Sequence, residues 1–194
     1  MARQVSLFTP TADWTPPNSL PDLSKYDEVA IDLETYDPLL MSHGPSWAFA
    51  DTGYITGIAI ATKDFNMYFP IQHEGGGNLD KNLVIKWMTK QMTYENDKVF
   101  HNSLYDMGWL KRYGIKVHGK IQDTMFAAPL IDENQYSYSL NNLGEKYCGE
   151  TKDETLLIEA AQAYGLNPKS EMYRLPAKYV GPYGEKDAGL TLQL

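Results

Sequence analysis

The feature that most constrains this chain is a six-residue run, Val29-Ala30-Ile31-Asp32-Leu33-Glu34. Its apolar, β-branched start reads as a buried strand. It ends in two carboxylates one residue apart. Strand side chains at i and i+2 share a face, so Asp32 and Glu34 stand side by side at the strand's exit. Leu33 turns the other way, into a core. Like charges held that close repel, and a shared proton or a shared cation relieves them. The pair reads as half of a site for a hard divalent ion such as Mg²⁺. Taken alone it reads first as two solvated acids at a strand end, so its meaning depends on the rest of the chain.

The chain has 194 residues, enough for one domain with a full core. No run of 18 apolar residues occurs, so no membrane partner is expected. The first 30 residues lack the apolar centre of a secretory signal. One cysteine, Cys148, allows no internal disulfide, which fits a reducing cytoplasm and an inert core thiol. The net charge of -8 argues against coating duplex DNA, which requires Lys and Arg to displace counterions. It is neutral toward a protein that holds a few nucleotides through metal ions.

Residues 1–26 carry Pro10, Pro16, Pro17 and Pro21 without strand or helix periodicity, and read as an extended lead-in tied down by Trp14 or Leu20. Residues 35–54 form a long loop directly after the carboxylate pair, placed to wall the site. A hairpin follows, Tyr54 to Ile60 and Phe65 to Ile71, with Pro70 marking a sheet edge. The segment Glu74-Gly75-Gly76-Gly77-Asn78 lacks the ending of a phosphate-binding loop and takes no nucleotide role. Val84, Trp87, Met88 and Met92 recur at helical spacing. Lys98-Val99-Phe100 is a short strand, and the helix after it opens with Ser103-x-x-Asp106. That spacing is a capping box, a structural role competing with any chemistry for Asp106. His101 reads as packing or surface. Asp123 caps another helix, and helices follow from Ser139 to Tyr147 and from Asp153 to Tyr164. Pro182 suits the first turn of a last helix, on which Tyr183 and Asp187 are i and i+4 and share a face.

Three segments in this order resemble the 3'–5' exonuclease domain of family-A DNA polymerases, within the tyrosine subtype of the DEDD exonucleases. They are Ile31-Asp32-Leu33-Glu34-Thr35, Asn102-Ser103-Leu104-Tyr105-Asp106, and Tyr183-Gly184-Glu185-Lys186-Asp187-Ala188. The resemblance spans about residues 27–194. The tyrosine four residues before Asp187 separates this subtype from the histidine one. The long loop through His43-Gly44-Pro45 resembles phage polymerases.

The resemblance implies an α/β, ribonuclease H-like fold: a mixed sheet flanked by helices, with the carboxylates gathered at one end. It implies catalytic residues Asp32, Glu34, Asp106, Tyr183 and Asp187, the four carboxylates holding two divalent ions, Mg²⁺ or Mn²⁺. Tyr183 would hydrogen-bond the attacking water and stay protonated at neutral pH. Leu33, Thr35, Asn102 and Tyr105 would contact the substrate. The implied function is 3'–5' hydrolysis of single-stranded DNA ends in polymerase proofreading, in the cytoplasm of a bacterium or a phage-infected host. A ribonuclease D-like exoribonuclease uses the same five residues, and a non-catalytic nucleic-acid-binding module is a further alternative. The chain stops at Leu194, inside the last predicted helix. The resemblance implies a polymerase domain as partner, either continuing a longer chain or supplied separately.

Overall fold

The computed structural model describes residues 8–194. Residues 1–7 of the expected lead-in lie outside the described residues. The strands are β1 Glu28–Tyr36, β2 Tyr54–Thr62, β3 Phe65–Pro70, β4 Asp97–Phe100 and β5 Ile121–Asp123. They form one sheet in the order β3-β2-β1-β4-β5. The β1–β2 and β2–β3 pairs are antiparallel, and β1–β4 and β4–β5 are parallel. The helices are α1 Leu40–His43, α2 Lys81–Gln91, α3 Ser103–Arg112, α4 Thr124–Ile131, α5 Leu140–Leu143, α6 Thr155–Ala163 and α7 Ala177–Gln193. This is the mixed, helix-flanked sheet that the sequence implied.

Alternation along β1 sorts its residues between two cores. Val29, Ile31 and Leu33 join Ile58, Ile60, Phe69, Trp87, Phe100 and Trp109 on the face carrying α2 and α3. Ala30 joins Ala59, Ala61, Tyr68 and Val99 on the other face, under α6 and α7. The small residues lie there because α7 presses close. Gly181 leaves room for the Trp14 ring, and Gly184 leaves room for Tyr68. Glu185, on the same helix, accepts from Trp14 Nε1 at 2.9 Å and from the Tyr68 N–H of edge strand β3 at 3.2 Å. The lead-in is thus held against α7, where Tyr179 Oη also donates to the Pro10 carbonyl at 3.0 Å.

Tyr68 makes the inner face intolerant of change. A Cβ at Gly57 would fall on the Tyr68 phenol, and Tyr68 is completely buried. Gly57→Ala is therefore expected to destabilise the fold by about 1–3 kcal/mol through overpacking. Denaturant unfolding of parent and variant measures this, and an unchanged midpoint would show that Tyr68 can yield.

Several expectations are corrected. Pro182 lies inside α7, which begins at Ala177. A proline there removes a hydrogen bond to the carbonyl four residues back. Burial of Tyr179 and Val180 holds the preceding turn in place regardless. Strand β5 had no signal, being three residues long and half-buried. The helix predicted from Ser139 breaks after Leu143 into a π-helical turn, Gly144–Cys148, and Cys148 is half-buried rather than a core thiol. The Ser103-x-x-Asp106 capping box does not form. Asn102 precedes the helix in the left-handed conformation, at φ 73°, and its side chain makes no cap. Asp123 supplies the cap instead. Its carboxylate accepts from the N–H groups of Asn102 and Ser103 at 3.2 and 2.5 Å and of Met125 and Phe126 at 2.9 and 3.1 Å. One side chain thereby satisfies the starts of α3 and α4 together.

Candidate active site

β4 pairs with β1 only from Glu28 to Ala30. β4 itself ends at Phe100, and the stretch of β1 beyond Ala30 lies toward the C-terminal ends of the parallel strands, where α/β sheets commonly carry their sites. Asp32 and Glu34 occupy this stretch, opposite Ala59 and Gly57 of β2. Both point to the α7 side, and a bulge between Glu34 and Thr35 turns the strand away just after them. Asp187 enters from α7. One carboxylate oxygen from each of Asp32, Glu34 and Asp187 lies within 4.8 Å of the others. Asp32 and Glu34 are half-buried, and Asp187 is buried.

Asp106 reaches the same end of the sheet from α3. It is almost fully buried, and its Oδ1 accepts from the Leu33 N–H at 3.1 Å. That donor lies where the ladder to β4 has ended, and a buried amide needs a partner. Freed from the capping box, Asp106 thus secures the strand between Asp32 and Glu34.

The carboxylates raise one another's proton affinity. Burial, then the charge of Asp187, pushes the Asp32 carboxyl up to about 7. Burial and neighbouring acids hold Glu34 and Asp106 well above the usual carboxylate range. Asp187 is also raised, chiefly by burial, although Lys152 pulls it down. Its Oδ1 is buried without a hydrogen-bond partner among the described residues. An unpaired, acceptor-only oxygen on a carboxylate that converges with two others suits a hard cation.

Tyr183 lies one turn before Asp187. Burial and the charges of Glu34, Asp187 and Asp32 hold its phenol far above the ordinary range, so it is neutral and keeps its proton. Lys152, which no sequence pattern singled out, completes the group. Its ammonium pairs with Asp187 Oδ2 and donates to the Tyr183 hydroxyl at 3.2 Å. It stands alone in an irregular segment before α6, and a lone lysine in a loop carries no periodic signal.

The expected substrate contacts flank a cleft of about 540 Å³ lined by Leu33, Glu34, Thr35, Pro38, Met41, Tyr105 and Met172. Tyr105 Oη meets Thr35 Oγ1 at 2.7 Å and donates to Asp37 at 3.1 Å. Asp37 also accepts from Ser46 Oγ at 2.5 Å. Arg112 binds the Ala50 carbonyl at 2.6 Å and Asp51 at 2.8 Å. Residues 35–54 are therefore fastened to α3, and their first part walls the cleft. Asn102 stands apart from it, at the start of α3. His101 bonds Thr124 Oγ1 through Nδ1 at 2.8 Å, a packing role.

A mixed sheet in this order, flanked by helices and with carboxylates gathered at one end, defines a ribonuclease H-like fold. Solved structures share that fold: the exonuclease domain of Aedes aegypti Nibbler has a TM-score of 0.57 at 14% identity, covering 89% of this chain and 77% of that one. The catalytic core of RRP6 from Trypanosoma brucei has 0.54 at 16%, covering 99% and 51%. The 3'-5' exonuclease family of the A-type DNA polymerases matches residues 11–194, and the chain belongs to it. A DNA-directed DNA polymerase of Pseudomonas phage M6 is 40% identical over 198 residues, 98% of this chain and 30% of the relative. DNA polymerase DpoZ of Salmonella phage PMBT28 is 30% identical over 182 residues, 90% and 26%. DNA polymerase I of Borreliella burgdorferi is 32% identical over 126 residues, 64% and 13%. The chain thus spans under a third of the length of these polymerases. Among the described residues no helix is long and apolar enough to cross a membrane.

Proposed function

We propose that this exonuclease domain removes nucleotides from the 3' end of single-stranded DNA and serves proofreading by a family-A polymerase, in the same chain or beside it. The observation that carries the reading is the convergence of Asp32, Glu34 and Asp187 within 4.8 Å. Asp32, Glu34, Asp106 and Asp187 would hold two divalent cations, Mg²⁺ or Mn²⁺, since their hard oxygen donors suit these ions. Bound there, the ions supply a Lewis acid and an activated water.

The chain's own groups do the rest. Tyr183, neutral at working pH, hydrogen-bonds the attacking water and fixes its direction without taking its proton. Asp106 keeps Leu33 in register, so Asp32 and Glu34 present their oxygens together. Thr35 and Tyr105 form one side of the cleft beside Glu34 and would receive the terminal nucleotide. Leu33 lines the same cleft. Asn102 would contact the strand from the start of α3. DNA is the favoured substrate because the relatives that cover most of this chain are DNA polymerases. The work would then be done in the cytoplasm of the host cell.

Incubation with a 5'-labelled single strand is expected to give a ladder shortened from the 3' end with Mg²⁺ or Mn²⁺ and intact substrate in chelator. Matched DNA and RNA oligonucleotides set the preference, and faster loss of RNA would replace the DNA assignment. Absence of shortening with either ion would overturn the reading. Tyr183→Phe is expected to lower kcat by about 10²-fold with little change in KM, because it removes the group that aims the nucleophile. An unchanged kcat would remove Tyr183 from the mechanism.

A further inference from the structure

We propose that Lys152 is a positioning residue of this site, a resident cation that occupies Asp187 before metal arrives and afterwards steadies Tyr183. The proposal rests on the reading of Asp32, Glu34 and Asp187 as metal ligands. Three observations carry it. The Lys152 ammonium pairs with Asp187 Oδ2, an oxygen of the same carboxylate whose Oδ1 is buried and unpartnered. It also donates to the Tyr183 hydroxyl at 3.2 Å and lies over that ring, 5.1 Å from its centroid. It is largely buried, with side-chain exposure of 17%.

The placement answers a problem of charge. Four carboxylates collected at one end of a sheet are self-repelling without a counter-cation, and one ammonium among them lowers that repulsion. A divalent ion that takes Asp187 must displace the ammonium or share the carboxylate with it. Lys152 therefore competes with metal for Asp187. The contact to Tyr183 has a separate consequence. A phenol oxygen that accepts from an ammonium cannot turn freely, and its single hydrogen, shared with Asp187 in this arrangement, is left to donate elsewhere once that carboxylate is taken. With Asp187 taken by metal, Lys152 still has this contact to keep, and it holds the Tyr183 hydroxyl toward the attacking water.

The segment that presents Lys152 is anchored. Its backbone N–H donates to Asn141 Oδ1 at 3.0 Å, on α5. The pair across this bond allows a test that leaves the ammonium itself intact.

Calorimetric titration of Mn²⁺ alone into the protein, without DNA, separates competition from a purely structural role. Lys152→Met is expected to bind Mn²⁺ about tenfold more tightly, the effect of removing one competing charge. Equal or weaker binding would overturn the proposal. At saturating Mn²⁺ and DNA, single-turnover hydrolysis by Lys152→Met is expected to fall about tenfold with KM near the parent value, and Lys152→Arg is expected to recover most of the rate. Hydrolysis by Lys152→Met at the parent rate would overturn the Tyr183 part. Asn141→Ala, which loosens the segment and keeps the charge, is expected to shift both readouts in the same directions by a smaller factor. Parent protein that takes up no Mn²⁺ sinks the metal reading itself. Normal Mn²⁺ uptake by the parent, with no change in Lys152→Met, sinks only the role of Lys152.

Discussion

Asp187→Ala is expected to lower hydrolysis of single-stranded DNA by about 10³-fold or more while leaving the fold in place. The size follows from the charge that a metal site brings to a transition state, several kcal/mol, at 1.36 kcal/mol per decade of rate. Asp187 is buried with one oxygen unpartnered, and the Lys152 ammonium released by its loss still faces the charges of Asp32 and Glu34, so the fold is expected to survive. Its loss also relieves repulsion with Asp32 and Glu34, so the melting temperature is expected to stay within a few degrees of the parent. Activity on a labelled strand and thermal unfolding, measured on one preparation, check both halves. A variant that trims DNA at the parent rate would show that the convergence of carboxylates is not the active centre. A variant that fails to fold would assign Asp187 a structural role.

The second large effect is in pH. The Asp32 carboxyl is raised from 3.8 to about 7, by burial and by the charge of Asp187. An acid whose pKa is higher in the folded state binds more protons there than in the unfolded chain between those two values. Stability without metal therefore falls as pH rises from about 4 to about 7, the reverse of a salt-bridged aspartate. Glu34, Asp106 and Asp187 shift in the same direction and add to the slope. Divalent ions bind the ionised carboxylates and must displace protons at lower pH. Mn²⁺ is thus expected to raise the melting temperature more at pH 8 than at pH 5.5, by roughly 4–8 °C for a difference of about 2 kcal/mol. The rate at subsaturating metal should rise through neutrality. A stabilisation by Mn²⁺ that does not vary with pH would show that the carboxylates are already ionised before metal binds.

These two results depend on features of unequal visibility. The positions of Asp32 and Glu34 could be read directly, because strand alternation is local and Val29, Ile31 and Leu33 advertise the buried face. Tyr183 and Asp187 share a helix face through the same kind of short-range periodicity. Asp106 was ambiguous, since Ser103-x-x-Asp106 satisfies a capping rule as well as a metal role. The choice fell to the tertiary fold: Asp123, brought alongside through the parallel pairing of β5 with β4, takes over the capping and frees Asp106 for the Leu33 amide.

What the amino-acid sequence determined by itself is the set of local patterns: the amphipathic faces, the carboxylate pair, the hairpin and the edge position of Pro70. The motif order along the chain also carried the family, which no single segment did. Only the tertiary structure decided that α7 begins at Ala177 despite Pro182, that Glu185 secures the lead-in and β3 together, and that Lys152 enters the carboxylate cluster. Each of these depends on contacts between residues far apart in the chain. A lone lysine or a mid-helix proline has no periodicity to reveal it, and its energy is set by whatever the fold places opposite.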